Sequence, residues 1–162
     1  MEMLALSKAP ILVSPSSART LCDHSRNLDD EQLLKLKENG GVVQAVALDA
    51  YINEEKNRAR EDYMKAILEQ VADSLGIQWF DRSEFSKLTD AQQDAFIGNY
   101  RRVSSIADEI AAKSADAPPP VDVSDFVDHI DYMVGLIGID HVGISSDFDG
   151  GGGIEGWSDA SE

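Results

Sequence analysis

The chain has 162 residues, 43% of them hydrophobic, which is enough for a domain with a real core and too many for a disordered protein. Its formal charge of -16 excludes the clustered basic residues that nucleic acid and anionic membranes require. No apolar run approaches the roughly 20 residues of a membrane helix. The single cysteine, Cys22, excludes an internal disulfide and makes a reducing, cytoplasmic location the default, with a signal peptide on a longer parent protein left open.

The first third of the chain predicts two strands around a short helix. Residues 10–14 form an apolar run followed by turn residues, which is typical of a buried strand. A helix is expected from about Glu31 to Glu38, capped by Asp29 or Asp30. Residues 42–48 are apolar nearly throughout, as in parallel sheets covered on both faces.

Two long helices are predicted next. The first starts after Asn53 and ends at Gly76, and the second starts at Thr89, where Gln92 completes a capping-box pattern. Their apolar stripes are expected at Met64, Ile67, Leu68, Val71 and Leu75, and at Phe96, Tyr100, Val103 and Ile110.

A last helix and strand follow the stiff connector at residues 117–120. The helix is expected to start at a Ser124 cap and to end at Gly138, and the strand spans residues 141–146. The buried stripe of this helix is predicted as Phe126, Val127, Ile130, Met133, Val134 and Ile137.

This order of elements predicts an α/β fold with a parallel sheet. Three parallel strands cannot close a barrel and leave two open edges. No helix is expected before the first strand or after the last one. We therefore predict the C-terminal part of a (β/α)8 TIM-type barrel. Residues 1–162 would form a single partial domain, with a helical insertion at about 53–115.

The end of the last strand carries the most informative motif, Ser145-Ser146-Asp147-Phe148-Asp149-Gly150 followed by three glycines. In α/β proteins, ligands and metals bind where parallel strands end. Asp147 is therefore a candidate site carboxylate, with a loop-capping role as the alternative. Asp149 is expected to be structural, accepting backbone N–H groups in the turn.

Several motifs in collinear order resemble the membrane (renal-type) dipeptidase family. They are Pro15-Ser16-Ser17-Ala18-Arg19, Cys22-Asp23-His24-Ser25-Arg26-Asn27, Gly41-Val42-Val43, Asp128-His129-Ile130-Asp131, Gly138-Ile139-Asp140-His141-Val142-Gly143-Ile144 and Ser146-Asp147-Phe148-Asp149-Gly150. The resemblance runs from about residue 6 to 157.

This resemblance implies a metal-dependent amidohydrolase barrel that holds two zinc ions and hydrolyses dipeptides. By position, Asp147 matches the eighth-strand Asp near the bridging water, and Arg26 matches the Arg that binds the substrate carboxylate. The alternative for Arg26 is a surface arginine paired with the acidic excess. Both roles are chemically reasonable, because a carboxylate can shuttle a proton and a guanidinium can hold a carboxylate through two hydrogen bonds.

The chain departs from the family pattern at its metal ligands. Pro15 stands where the sixth-strand ligand His is expected, and it has no coordinating side chain. The His-x-Asp of the first strand, the bridging Glu and the fifth-strand His are absent. Catalytic zinc usually needs three protein ligands, so zinc binding by this chain alone is doubtful.

The other candidate residues are expected to be structural. His24 is interpreted as a solvated loop residue, with ligand contact as the alternative. His129 is expected beside the buried stripe of its helix, and His141 at the strand end opposite the barrel mouth. Cys22 is expected to be a packed thiol.

Two functional hypotheses follow. In the first, the chain derives from a zinc dipeptidase that cleaves the peptide bond of dipeptides, and is inactive alone because it lacks most metal ligands. In the second, it is a non-catalytic remnant or module that pairs with a missing N-terminal portion through its open strand edges. Assembly into a homo-oligomer stays open.

Overall fold

A computed structural model describes residues 2–80 and 82–161. The chain divides into two compact units. One comprises the chain up to Arg58 together with the chain from Pro120 onward, and the other spans Ala59–Pro119. Within the described residues, no helix combines the length and apolar character needed to cross a bilayer.

The first unit is built on a three-stranded sheet. Its strands are β1 (Leu12–Ser16), β2 (Val42–Val46) and β3 (Val142–Ser145), all parallel and in the order β1-β2-β3. Its helices in chain order are α1 (Glu2–Leu6), α2 (Asp30–Glu38), α3 (Asp49–Ile52), the start of α4 (Glu54–Ser74) and α6 (Val123–Ile137). The α/β class and the parallel sheet are as predicted.

The core of this unit lies between β2 and the helices α2 and α6. Alternate residues Val43, Ala45 and Ala47 are fully buried, as expected when one face of a strand points into the core. The helices contribute the fully buried side chains Leu33, Leu36, Met133 and Ile137. Since β2 is the middle strand, this packing fixes the positions of the loops that follow all three strands.

The second unit contains most of α4 and the helix α5 (Asp90–Lys113), which begins at the predicted Thr89 capping box. Its core joins Ile67, Val71, Ala72, Val103, Ala107 and Ala111. Trp79, Phe85, Phe96 and Tyr100 form an aromatic cluster, and the last three border a cavity of about 410 Å³. The predicted stripe of α5 is wrong at Tyr100 and Ile110, which are 37% and 45% exposed. Alanines at 107 and 111 face the core instead.

Several local predictions are wrong. The short helix α1 precedes β1, where no helix was expected. Helix α6 is capped by Asp122, not Ser124, because the Asp122 carboxylate accepts the backbone N–H groups of Ser124 and Asp125. The face of α6 that turns inward carries His129 in place of Val127, which is exposed.

Strand bounds also differ from the predictions. β1 runs two residues further than the apolar run, through Pro15 to Ser16, and its register shifts between Val13 and Ser16. β3 is shorter than predicted because residues 139–141 form a 3-10 turn.

Candidate functional site

The three parallel strands end at one edge of the sheet, and the loops that follow them carry the candidate residues. Arg26 lies in the loop after β1, and Asp147 lies two residues after the end of β3. The segment after β2 begins with Asp49 and Tyr51 in α3. Within the described residues, no hydrogen bond or ion pair joins Arg26 to Asp147, so the edge holds two separate groups.

Asp147 adopts a left-handed backbone conformation, with φ 55° and ψ 27°. This reverses the chain directly after β3, so that the Asp147 carbonyl accepts the N–H groups of Gly150 at 2.9 Å and Gly152 at 2.7 Å. The N–H groups of Gly150 and Gly152 therefore donate to a main-chain carbonyl and not to a carboxylate. The prediction that the Asp149 carboxylate accepts them is wrong, and Asp149 is exposed.

Two glycines in this turn have close neighbours, which are side-chain atoms at Gly150 and backbone atoms at Gly152. A Cβ at Gly150 would lie 2.6 Å from Asp147 Oδ1, and a Cβ at Gly152 would lie 2.2 Å from the Ser146 carbonyl oxygen. Both distances are below any real Cβ contact. The half-buried carboxylate of Asp147 thus packs on the bare backbone of Gly150, which limits where it can point.

The turn is anchored to the rest of the first unit at both ends. The Gly153 N–H donates to the carbonyl of Ala47, just after β2, at 2.7 Å. Trp157 packs its ring against Phe126 of α6 and Phe148 of the turn, with centroids 5.7 and 5.3 Å apart. These contacts hold the turn that contains Asp147 against the core of the first unit.

Arg26 belongs to a second group, which is built on a tyrosine. Its guanidinium carbon lies 5.6 Å from the centroid of the Tyr51 ring, within cation–π range. The His24 ring stacks on the same tyrosine at 4.1 Å, and its Nδ1 accepts the Arg26 N–H at 3.3 Å. His24 is thus a half-buried loop residue, and its interpretation as solvated, with ligand contact as the alternative, stays a prediction.

Buried hydrogen bonds fix the backbone beneath this group. The Asn27 side-chain amide donates to the carbonyls of Tyr51 at 2.8 Å and Cys22 at 3.0 Å. The Ser16 hydroxyl donates to the Arg26 carbonyl at 2.9 Å. These bonds hold the backbone of Arg26 in place. The Arg26 side chain is exposed, so its guanidinium is open to a ligand.

Cys22 is a packed thiol, as predicted. It is 4% exposed, and its Sγ donates to the Ala50 carbonyl at 3.4 Å. Burial raises the pKa of this thiol, with Glu54 and Asp23 acting in the same direction through their charges. The thiol form is therefore favoured, which is the opposite of what a cysteine nucleophile requires.

The two remaining histidines are bonded to the backbone. His141 Nδ1 donates to the Gly41 carbonyl at 2.8 Å, near the amino ends of the strands, as its predicted structural role requires. His129 is 2% exposed and bonded at both ring nitrogens. Burial lowers the pKa of His129, so its imidazole is held neutral.

Metal-binding residues are sparse in this part of the structure. No three His, Cys, Asp or Glu side chains among the described residues are grouped so that they could hold a metal ion. Pro15 is half-buried within β1 and offers no donor atom there. The side chains of the described residues therefore do not fit a metal centre.

Sequence reasoning missed Tyr51 and Asn27 as parts of this site. Their contacts join segments that are 24 residues apart, which no local pattern reveals. One signal was available for Tyr51, since Ala47-Leu48-Asp49-Ala50-Tyr51 directly follows an apolar strand, as Asp147 does.

Comparison with known proteins adds an independent line of evidence. The family model described as "Membrane dipeptidase (Peptidase family M19)" matches residues 1–162. The solved structure of the probable dipeptidase PvdM from Pseudomonas aeruginosa is 32% identical, with a TM-score of 0.59, and the match covers 99% of this chain and 38% of that one.

Two curated relatives also carry dipeptidase names. Dipeptidase aclJ from Aspergillus oryzae is 29% identical over 158 residues, which are 97% of this chain and 23% of that protein. An uncharacterized dipeptidase of Schizosaccharomyces pombe is 54% identical over 43 residues, which are 26% of this chain and 10% of that protein. The chain thus spans at most a quarter of these two curated relatives.

Proposed function

The chain belongs to the membrane dipeptidase family, and on that premise we propose that it forms the C-terminal part of a (β/α)8 barrel that hydrolyses dipeptides. The family match along its whole length and the dipeptidase names of its relatives support this proposal. So does the sheet, since among the described residues β1 and β3 each have one unpaired edge, to which the remaining barrel strands can add.

Arg26 is proposed to bind the carboxylate of the dipeptide. A guanidinium presents N–H groups in a planar fork that matches a carboxylate. The observation that carries this assignment is the exposed Arg26 held over Tyr51 at the carboxyl edge of the sheet, where ligands of parallel α/β proteins bind.

Asp147 is proposed as the carboxylate that moves a proton during hydrolysis. It would accept a proton from the attacking water and deliver it to the leaving amine. Its position just after β3, in a turn that is anchored to Ala47 and Trp157, supports this role, because proton transfer depends on a fixed distance to the reacting atoms.

The family resemblance implies two zinc ions, and the residues present do not fit them. Catalytic zinc takes about three protein ligands, and the described residues hold no such group. Pro15 supplies no donor where a ligand His is expected. We therefore propose that the chain alone is catalytically incompetent and depends on metal ligands from outside it.

The test measures hydrolysis of alanyl-alanine with zinc present. The chain is assayed alone, and then with the part of the Pseudomonas aeruginosa relative outside the matched region. We expect no turnover by the chain alone. Zinc-dependent turnover should appear when the other part is added to a Pro15→His variant, which restores the missing ligand. Turnover by the unmodified chain alone would refute catalytic incompetence.

The role of Arg26 is tested in the same assembled Pro15→His enzyme. Charged hydrogen bonds contribute about 1.5–3 kcal/mol, so Arg26→Met should raise KM about tenfold or more. Arg101→Met is the matched control, since this exposed arginine lies in the second unit, outside the carboxyl-edge site. Equal effects of the two variants would remove Arg26 from the substrate site.

A second candidate function is a non-catalytic module that binds the missing portion of the barrel. It is favoured by apolar residues left open on both edge strands, with Leu12 of β1 and Ile144 of β3 each 61% exposed. Complex formation without turnover in the Pro15→His assembly would select this alternative.

A further inference from the structure

His129 connects the two segments that build the Arg26 group. It projects from α6 and is 2% exposed. Its Nδ1 accepts the backbone N–H of Ala18, in the loop after β1, at 3.2 Å. Its Nε2 donates to the carbonyl of Ile52, at the end of α3, at 2.9 Å. One side chain thus bonds the backbone of both segments.

The bonding pattern defines a single form of the imidazole. Nδ1 must be unprotonated to accept the Ala18 N–H, and Nε2 must carry the proton to donate to a carbonyl. A protonated ring could not accept at Nδ1. Burial, which lowers the pKa of His129, favours the same neutral form, against the raising effect of the nearby Asp128 and Asp125.

The two segments meet where Arg26 is held. Ile52 directly follows Tyr51, whose ring lies beside the guanidinium and whose carbonyl accepts the Asn27 amide. Ala18 lies in the loop that contains Arg26, and its neighbour Ser17 accepts the Leu28 N–H at 2.9 Å. A shift of either segment would therefore move the guanidinium relative to Tyr51.

We propose that His129 is a positioning residue that sets the place of the Arg26 guanidinium by holding Ala18 and Ile52 through its two ring nitrogens. It does not touch the substrate itself. Its value for catalysis rests on the proposed role of Arg26 in binding the dipeptide carboxylate, whereas its positioning of the two segments can be measured without substrate.

The test uses three variants that remove the two hydrogen bonds of His129 separately or together. His129→Asn places an amide oxygen near the Nδ1 position and keeps an acceptor for Ala18, and His129→Gln places an amide nitrogen near Nε2 and keeps a donor for Ile52. His129→Leu removes both. His141→Gln is the matched control, because that histidine also bonds a backbone carbonyl but lies near the amino ends of the strands.

The first readout is amide hydrogen exchange and the NMR signal of the Arg26 Nε–H group in the whole chain. In His129→Leu we expect exchange at Ala18 to accelerate at least tenfold, and the Arg26 signal to lose its displacement by the Tyr51 ring. His129→Asn should protect Ala18 better than His129→Gln does. An unchanged Arg26 signal in His129→Leu, or equal acceleration throughout the sheet, would overturn the proposal.

A second readout needs no variant and covers the case in which these proteins fail to fold. The imidazole ¹⁵N shifts of His129 in the unmodified chain should report the Nε2–H form from pH 8 down to pH 6. A cationic ring or the Nδ1–H form in that range would show that His129 does not hold both Ala18 and Ile52. Substrate binding is scored separately, in the assembled Pro15→His enzyme. If Arg26→Met changes KM there no more than Arg101→Met does, while the Arg26 signal of the His129 variants shifts as expected, the proposed function fails and the positioning role stands.

Discussion

Asp147 combines a backbone that disfavours most residues with a side chain at the carboxyl edge of the sheet. Among the described residues it is the only non-glycine with a positive φ. Such a conformation costs on the order of 1–2 kcal/mol, although Asp tolerates it better than most residues. Glycine would adopt this conformation without that cost, so the turn itself does not need a carboxylate here.

A pair of substitutions at this position separates strain from chemistry. Asp147→Gly relieves the strain and should leave the free energy of unfolding within about 1 kcal/mol of the unmodified chain. Asp147→Ala keeps the strain and should be less stable than Asp147→Gly by about 1 kcal/mol. Urea unfolding provides the measurement. An Ala variant as stable as the Gly variant would show that the turn relaxes to another conformation.

Gly152 is the position where the turn after β3 tolerates no side chain. The Cβ of Gly152→Ala would collide with the backbone of Ser146 and Asp147, and backbone atoms cannot move aside cheaply. We expect a loss of about 1–3 kcal/mol in the free energy of unfolding. Gly135→Ala is the control, since its Cβ meets nothing within 4 Å in α6 and should stabilise the helix by about 0.5–1 kcal/mol. Similar losses in both variants would contradict the close contact.

At the scale of elements, a charged network ties the start of α4 to the start of α6. Lys56 Nζ lies 2.6 Å from Asp125 Oδ2, and the Asn53 amide donates to Asp125 Oδ1 at 3.1 Å. The two charged side chains are 28% and 15% exposed, so solvent screens them only in part. Burial alone would raise the pKa of Asp125, but its hydrogen bonds with Lys56, Asp122 and Asn53 outweigh that effect and lower it.

The sign of this shift defines a pH window. Because the folded pKa of Asp125 is lowered, its contribution to stability is complete above the ordinary Asp pKa of about 3.9 and is lost as pH falls through the folded value. Lys56→Met should cost about 1–2 kcal/mol near pH 7, and the difference from the unmodified chain should shrink below about pH 4. Urea unfolding across pH measures it. Lys35→Met, which removes only an exposed helix pair with Glu31, should cost at most about 0.5 kcal/mol. A pH-independent loss in Lys56→Met would contradict the network.

Element ends were predictable where the signal is local. The Thr89 capping box and the end of α6 at Gly138 are encoded within a few residues of the ends they define. The cap of α6 was misplaced because both Asp122 and Ser124 are good caps, and only the fold selects Asp122. The Ile110 prediction failed because periodicity ranks large side chains first, whereas α5 packs closely through small ones.

The site was predictable only in part. Strand order alone brings the Arg26 loop and Asp147 to one edge of the sheet, because the carboxyl ends of parallel strands coincide. The partners of Arg26 were not predictable, since the bonds that set them join distant segments. The contact between His129 and Ala18 spans 111 residues, and nothing in either local sequence indicates it.

At the scale of the whole molecule, the two edge strands of the described sheet expose apolar side chains. Ile144 pairs in register with Ala45, so both side chains point to the face covered by helices. Ala45 is fully buried, yet Ile144 is 61% exposed, because no described helix covers β3 beyond the edge of α6. Leu12 pairs with Val42 on the opposite face and is exposed to the same extent.

These exposed residues predict how the chain associates. Ile144→Lys removes apolar surface that is already in water, so the free energy of unfolding of the chain alone should change by less than about 0.5 kcal/mol. The same change places a charge where the rest of the barrel would pack, and should abolish the complex with the added portion of the Pseudomonas aeruginosa relative in sedimentation velocity runs. Ile97→Lys is the matched control, because Ile97 is equally exposed but lies on α5 in the second unit. Retention of the complex by Ile144→Lys, or its loss in both variants, would show that the chain associates through another surface.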